Sequence, residues 1–327
     1  MNDSNDLVTC RRIYNPEPIS SKWIATLYAS LVTLCCVLGT LSNALLFYLS
    51  VAKGKVVGDF KTFFGNLSVS DGLFSLALLL TVFNALLGCH VDEIVGLQTS
   101  ALILTLLHSS AAGIYSLLLV CLQRYVYMRA TGPVGSWGCG NCIAACVTIH
   151  MVVALSNALA MALPYDQADI ERTLRMDCGR TLPYHPVMAA ATMSSSLLGA
   201  FASVVLSVLA LRALKASQKQ ISSTGRRQQA QSSFLKSNRG VTITALVESL
   251  APFVLMVPLS LYAIASSILK VDSSNEVSNV LMSLFLWCPF VDAVAALCVI
   301  PAYRKAAVAL FLDSDRVQQV GKKGTGR

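Results

Sequence analysis

Charge is scarce in this chain of 327 residues: Asp, Glu, Lys and Arg together make up 13%, against roughly 25% in an ordinary soluble domain. A water-soluble enzyme is therefore a poor match, and no chemistry-bearing motif argues for one. The chain has no glycine-rich phosphate loop, no serine or cysteine nucleophile motif and no His-Glu metal pair. Its four histidines, His90, His108, His150 and His185, are dispersed without ligand spacing. No internal repeat is visible, which counts against a carrier built from inverted halves. No stretch is long and polar enough to form an inserted soluble domain, and nucleic-acid binding would need one.

What the sequence has is hydrophobic length. Apolar types account for 55% of residues and the mean hydropathy is +0.63. Seven long apolar stretches, free of Lys and Arg in their cores, predict membrane-crossing helices at about residues 23–51, 63–87, 96–126, 141–163, 186–213, 240–269 and 277–300. Each meets the roughly 20 apolar residues that one crossing needs. Runs such as Thr131-Gly132-Pro133 and Leu182-Pro183-Tyr184-His185-Pro186 punctuate them as loops. Ten-residue alternations, the mark of a barrel, are not the pattern here. The expected fold is an all-α seven-helix membrane bundle: an external segment over 1–22, the bundle over 23–301, and a cytoplasmic tail over 302–327.

Orientation follows from the basic residues. The N-terminal segment and the second, fourth and sixth loops hold 7 Lys and Arg; the first, third and fifth loops and the tail hold 18. The net charges of the two sets are −4 and +15. Basic loops stay in the cytoplasm, so the N terminus is expected outside and the tail inside. No charged n-region with an apolar core precedes residue 22, so the first helix is expected to act as its own signal anchor. Asn2-Asp3-Ser4 fits a glycosylation acceptor on the outer side. The longest loop, Arg212 to Arg239, carries seven basic residues and no acid, and suits anionic lipid and a cytoplasmic protein partner.

Three acids remain inside the spans: Asp71, Glu248 and Asp292. An ionisable group in lipid is costly, and marks either function or a paired interior contact. No Lys or Arg lies within the apolar cores of the spans to pair with them, so they must be protonated, hydrated, hydrogen-bonded or bound to a cation. Asn43, Asp71 and Asp292 fall at similar depth on the first, second and seventh helices, which predicts a small polar pocket. Two facing carboxylates there would share a proton or hold a sodium ion; a hydrogen-bonded packing network is the other reading. No other cofactor is expected.

At the end of the third span, Gln123-Arg124-Tyr125 follows a long apolar run. Here the chain resembles a seven-helix G-protein-coupled receptor: rhodopsin-like receptors carry an acid-Arg-Tyr triplet at this place, and Asn43, Asp71 and Pro258 are similar to their polar and proline positions. It departs from them as well. The fourth helix has no tryptophan, Met256 stands two residues before Pro258, Thr99 replaces a third-helix cysteine, and the seventh helix reads Asp292-Ala293-Val294-Ala295-Ala296. Several of these departures resemble the nematode serpentine chemoreceptors of the Srd and Str kind. The segments in question are His108-Ser109 with Tyr115-Ser116-Leu117, Glu248-Ser249-Leu250-Ala251-Pro252-Phe253, and Pro289-Phe290-Val291-Asp292 through Pro301-Ala302-Tyr303-Arg304.

The resemblance implies a chemosensory receptor in the plasma membrane, in a sensory-neuron cilium, that binds a small molecule outside and activates a heterotrimeric G protein inside. Gln123, Arg124, Tyr125 and Pro258 would form its activation switch, and loss of the acid at Gln123 would loosen one restraint on Arg124. Pro252 and Pro258 each free a backbone carbonyl and favour a kink. The outer halves of the third, fifth, sixth and seventh helices offer Leu106, Leu107, Ser110, Thr192, Leu259, Ser260 and Trp287 as an apolar lining with a few hydroxyls. The competing reading is a small transporter or channel that passes cations or protons along Asp71, Glu248 and Asp292.

Of eleven cysteines, Cys10, Cys89 and Cys178 face the oxidising side, so one bridge and one leftover thiol are expected. Cys89 with Cys178 is the preferred pair and Cys10 the competing partner. Cys139 and Cys142 have the spacing of half a zinc site, without a second half nearby; acylation or plain thiols suit the membrane edge better. After Ile300, Tyr303, Ala306, Ala307, Leu310 and Phe311 alternate with Arg304 and Lys305, which predicts a short amphipathic helix on the inner leaflet.

Overall fold

The computed structural model describes residues 22–51, 56, 60–86, 94–129, 138–162, 186–223, 228–269, 281 and 284–310. These residues are helical almost throughout: α1 (Lys22–Val51), α2 (Phe60–Leu86), α3 (Ile94–Arg129), α4 (Cys139–Ala162), α5 (Pro186–Ser223), α6 (Gln228–Leu269) and α7 (Cys288–Val299). A short α8 (Pro301–Leu310) follows at 90° to α7. Helix is what a membrane demands, because backbone amides in lipid must be satisfied within their own segment. α1 to α5 each contain 22 to 26 residues long and apolar enough to cross one.

The helices close a ring in the order α1, α2, α3, α5, α6, α7 and back to α1, with α4 outside it against α2 and α3. α3 touches α2, α4, α5 and α6, so it links four helices. Small residues allow the closest approach. A Cβ on Gly39 of α1 would lie 2.6 Å from Ser75 Oγ on α2. The outer surface is the reverse of a soluble protein's, with Leu41, Met151, Leu155, Leu198, Val254 and Leu261 exposed. Burial of those side chains has to come from lipid.

The main apolar core lies toward the basic, cytoplasmic ends. It joins Leu46 and Leu49 of α1, Phe60, Phe63 and Phe64 of α2, Leu117 and Val120 of α3, Val241 of α6, Ala293 and Ala296 of α7, and Tyr303 of α8. α7 starts with proline in its first turn, where a missing N–H costs nothing. It ends at Ile300, whose backbone is extended (φ −81°, ψ 113°). Pro301 then opens α8 and turns Tyr303 back into the core, with no exposure left.

Candidate functional site

Polar residues gather in two interior places: a carboxylate centre midway along the bundle and a cationic site at its cytoplasmic end. In the first, Asp71 of α2, Glu248 of α6 and Asp292 of α7 are all buried. A cavity of about 40 Å³ touches Asp71 and Asp292 together with Ser110, Gly113, Pro252 and Cys288. Asp71 Oδ2 and Asp292 Oδ1 have no protein hydrogen-bond partner. Gly113 keeps this space open, since a Cβ there would come within 3.1 Å of Asp71 Oδ1. The volume suits one small ion or one or two waters.

Two expectations change here. Asn43 does not line the cavity; its amide donates to Gly39 O and Pro289 O, both at 2.9 Å, so it ties α1 to the start of α7. A carbonyl oxygen has two lone pairs, so Gly39 O and Pro289 O can accept the Asn43 amide. Of the two sixth-helix prolines, Pro252 is buried and lines the cavity, whereas Pro258 is exposed on the outer face of α6. Glu248 is fully buried with neither carboxyl oxygen hydrogen-bonded, and it does not touch the cavity.

Next to Glu248 along α6, Ser249 belongs to a separate polar cluster. Its hydroxyl donates to Ala245 O and lies 3.2 Å from Ser207 Oγ of α5; Ser207 donates to Cys121 Sγ of α3 at 3.2 Å, and that sulfur also lies 3.2 Å from Ser249 Oγ. This cluster joins α3, α5 and α6. Sequence reasoning did not find it, because single serines on three apolar helices carry no spacing signal.

At the cytoplasmic end Arg124 is only 4% exposed. One of its guanidinium nitrogens donates to Gln123 Oε1 at 3.3 Å. Its plane lies over the Phe60 ring, 5.2 Å from the centroid, and near the Tyr127 ring at 5.7 Å. Tyr125 turns away and accepts a hydrogen bond from Arg129. Phe60 is in turn packed edge-on against Phe64 and Tyr303, each with centroids 6.1 Å away. Tyr303 is anchored further: Ser50 gives its single hydroxyl proton to Leu46 O at 2.8 Å, so the Tyr303 hydroxyl donates to Ser50 Oγ at 2.7 Å.

The fold brings two of the dispersed histidines together. His108 and His150, 42 positions apart, meet with Nε2 and Nδ1 3.0 Å apart. His150 Nε2 lies 3.1 Å from Asn66 Oδ1, and Asn66 Nδ2 donates to Ser116 Oγ at 2.7 Å. An amide oxygen only accepts, so His150 carries its proton on Nε2 and accepts from His108 at Nδ1. The chain links α2, α3 and α4 and holds the outlying α4 to the ring. Spacing reveals ligands within one helix; this contact runs between two.

Of the expected ligand-lining residues, Ser110 lies on the cavity and Leu106 packs beside the cluster of Val32, Cys36, Phe74 and Leu286. Leu107 is half-buried, and Trp287 sets its ring against Phe290 with centroids 5.8 Å apart. The side chains of Thr192, Leu259 and Ser260, and all of Asn2, Cys10, Cys89 and Cys178, lie outside the described residues. Cys142 is completely buried, which removes it as an exposed acylation site.

The ring, the buried acids and the arginine ending α3 can be compared with known proteins. The sequence profile of the seven-transmembrane receptors of the rhodopsin family matches residues 42–295. The chain belongs to this family. Among solved structures, the crystal structure of squid rhodopsin superposes with a TM-score of 0.68 over 92% of each chain at 12% identity, which shows that the fold is shared. No curated protein matches the chain significantly. As a rhodopsin-family member it is a multi-pass membrane receptor of the G-protein-coupled class.

Proposed function

We propose that this receptor is chemosensory, of the nematode serpentine kind, and sits in the plasma membrane of a sensory-neuron cilium. A small molecule enters the outer half of the bundle between α3, α5, α6 and α7, where Leu106, Leu107, Ser110, Thr192, Leu259, Ser260 and Trp287 form its surroundings. The observation that carries the reading is Arg124: a buried cation at the cytoplasmic end of α3, beside Gln123 and the Phe60 ring, on the helix that meets α2, α4, α5 and α6. A group with two alternative sets of partners is a bistable element that ligand binding can bias. Movement of α6, whose Pro252 borders the carboxylate cavity, would open the end of the bundle and offer Arg124 to a heterotrimeric G protein. Exposed Arg212, Lys215, Lys219, Arg239, Arg304 and Lys305 supply the cationic rim for that partner and for anionic lipid.

In this reading Asp71 and Asp292 hold a sodium ion between α2 and α7. Two unpartnered carboxylate oxygens and a cavity of one-ion size fit such a group, and the ion would hold the helices in their resting arrangement. Outside, Cys89 bridges Cys178, with Cys10 as the alternative partner, and Asn2 carries a glycan. The test is expression in a cell line with surface display verified, exposure to a panel of small volatiles, and measurement of G-protein activation for wild type and Arg124→Ala. An Arg124-dependent signal, basal or evoked, supports the reading; equal signals in the two proteins contradict it.

A cation or proton path is the second reading, favoured by one observation: both oxygens of Glu248 are unpartnered in the interior that also holds Asp71 and Asp292. Flux through proteoliposomes that Asp71→Asn and Asp292→Asn abolish would establish it.

A further inference from the structure

Gly240 is the single glycine among the 42 residues of α6. It lies inside the helix, where glycine is weaker than alanine, and its surroundings show what the missing side chain allows. A Cβ at this position would lie 2.9 Å from Pro301 Cδ, 3.0 Å from Val299 O and 3.8 Å from Ile300 Cα. Carbon atoms in contact settle at about 3.5–4.0 Å, so there is no room for one methyl group. Gly39 offers a contrast, because the atom nearest to a Cβ there is the Ser75 hydroxyl, which can rotate away. Beside Gly240 the two nearest atoms belong to a proline ring and to main chain, and neither can turn aside.

The surface under Gly240 is the elbow between α7 and α8. Proline disfavours helical backbone in the residue before it, and Ile300, ahead of Pro301, is extended at φ −81°, ψ 113°. α8 therefore leaves at 90° to α7. The elbow is also anchored: Ile300 and Tyr303 are buried in the main core with Val241, the residue after Gly240, and the Tyr303 hydroxyl reaches Ser50 of α1 at 2.7 Å. α6 rests on it backbone against backbone. With α6 in this place the cytoplasmic end is closed, and Arg124 of α3 is 4% exposed.

Resting on the reading that this receptor activates a G protein, we propose that Gly240 is the seat of α6: a positioning residue whose lack of a side chain lets α6 close on the α7–α8 elbow and sets the resting state. Activation lifts α6 from this seat. The contact is steric and short in range, so a single methyl group at position 240 shifts the balance toward the open end.

The experiment compares full-length wild type, Gly240→Ala, Pro301→Ala and the double variant in nanodiscs. One readout is nucleotide exchange on a purified heterotrimeric G protein without added ligand. The other, in separate samples, is the distance between genetically encoded spin labels at exposed Arg239 of α6 and Lys305 of α8. Gly240→Ala is expected to lengthen that distance and to raise exchange about fivefold, the scale of one overpacked methyl group. Both effects should shrink when Pro301→Ala is already present, because positions in contact couple. Wild type bound to nucleotide-free G protein should show the lengthened distance without any change at Gly240. An unchanged distance in Gly240→Ala, a rise in exchange of equal size with and without Pro301→Ala, or a resting distance in the G-protein complex would each overturn the proposal. If Gly240→Ala lengthens the distance while neither receptor exceeds empty nanodiscs in exchange, Gly240 still seats α6 and it is the G-protein reading that fails.

Discussion

The two interior charge sites are handled in opposite ways. Midway along the bundle, Asp71 and Asp292 keep unpartnered oxygens around an open space of about 40 Å³. At the cytoplasmic end, Arg124 is enclosed by side chains that contribute ring faces and an amide. An anionic site left with room invites a mobile cation, whereas a cationic site packed with aromatic carbon leaves no such room. The first arrangement can be set by an ion from outside; the second has to be released by moving a helix. A receptor needs both, a restraint on its interior and a charge it can hand to a partner.

The largest effect that would sharpen this contrast is at Glu248, which shares the interior but has neither an ion cavity nor a hydrogen bond. Replacing a buried, unsatisfied polar group by carbon of similar volume removes a penalty of about 1–3 kcal/mol. Glu248→Leu is therefore expected to raise the melting temperature of the detergent-solubilised receptor. A lower melting temperature would mean that Glu248 has a structural partner, such as bound water or an ion.

At the cationic site, Gln123→Glu supplies the missing acid. A charge-assisted hydrogen bond exceeds a neutral one by roughly 1–1.5 kcal/mol, so basal G-protein exchange should fall about tenfold. Unchanged basal exchange would mean that the contact with Gln123 does not restrain Arg124. The carboxylate centre is tested by salt. Sodium at ten times its dissociation constant should stabilise wild type by about 1.4 kcal/mol, read as a higher melting temperature in sodium than in an equal concentration of a bulky organic cation. Asp71→Asn should abolish the difference and Gly113→Ala reduce it. A sodium effect that survives in Asp71→Asn places the ion elsewhere. The smallest effect belongs to Tyr303→Phe. It removes one buried hydrogen bond to Ser50 while keeping the ring against Phe60, and should cost about 1 kcal/mol of stability with at most a small rise in basal exchange.

These outcomes also separate what a single sequence discloses from what it hides. The seven-helix fold was legible because lipid imposes a one-dimensional rule: twenty apolar residues per crossing, with basic residues kept on one side. Asp71, Glu248, Asp292 and Arg124 were legible for the same reason, as charges where the rule forbids them. Their partners were not. Phe60 sits beside Lys61 at the head of α2 and looks like any interfacial aromatic until α8 folds back against it. His108 and His150 show no spacing because the contact runs between α3 and α4. Asn43 was placed in the cavity by depth alone, while the carbonyls of Gly39 and Pro289 took its amide. Pro258 matched a family position, but it is Pro252 that meets the cavity. Depth in the membrane can be counted along a chain; rotation about a helix axis depends on neighbours the sequence does not order.

The central claim is that Arg124, buried at the cytoplasmic end of α3, is the residue through which the receptor activates a G protein. The most direct measurement is nucleotide exchange on a purified heterotrimeric G protein by nanodisc-embedded receptor, wild type against Arg124→Ala, with both proteins shown to be folded by equal melting temperatures. The account predicts exchange above that of empty nanodiscs for wild type and a fall to the empty-nanodisc level for Arg124→Ala. Equal exchange by the two receptors would contradict it.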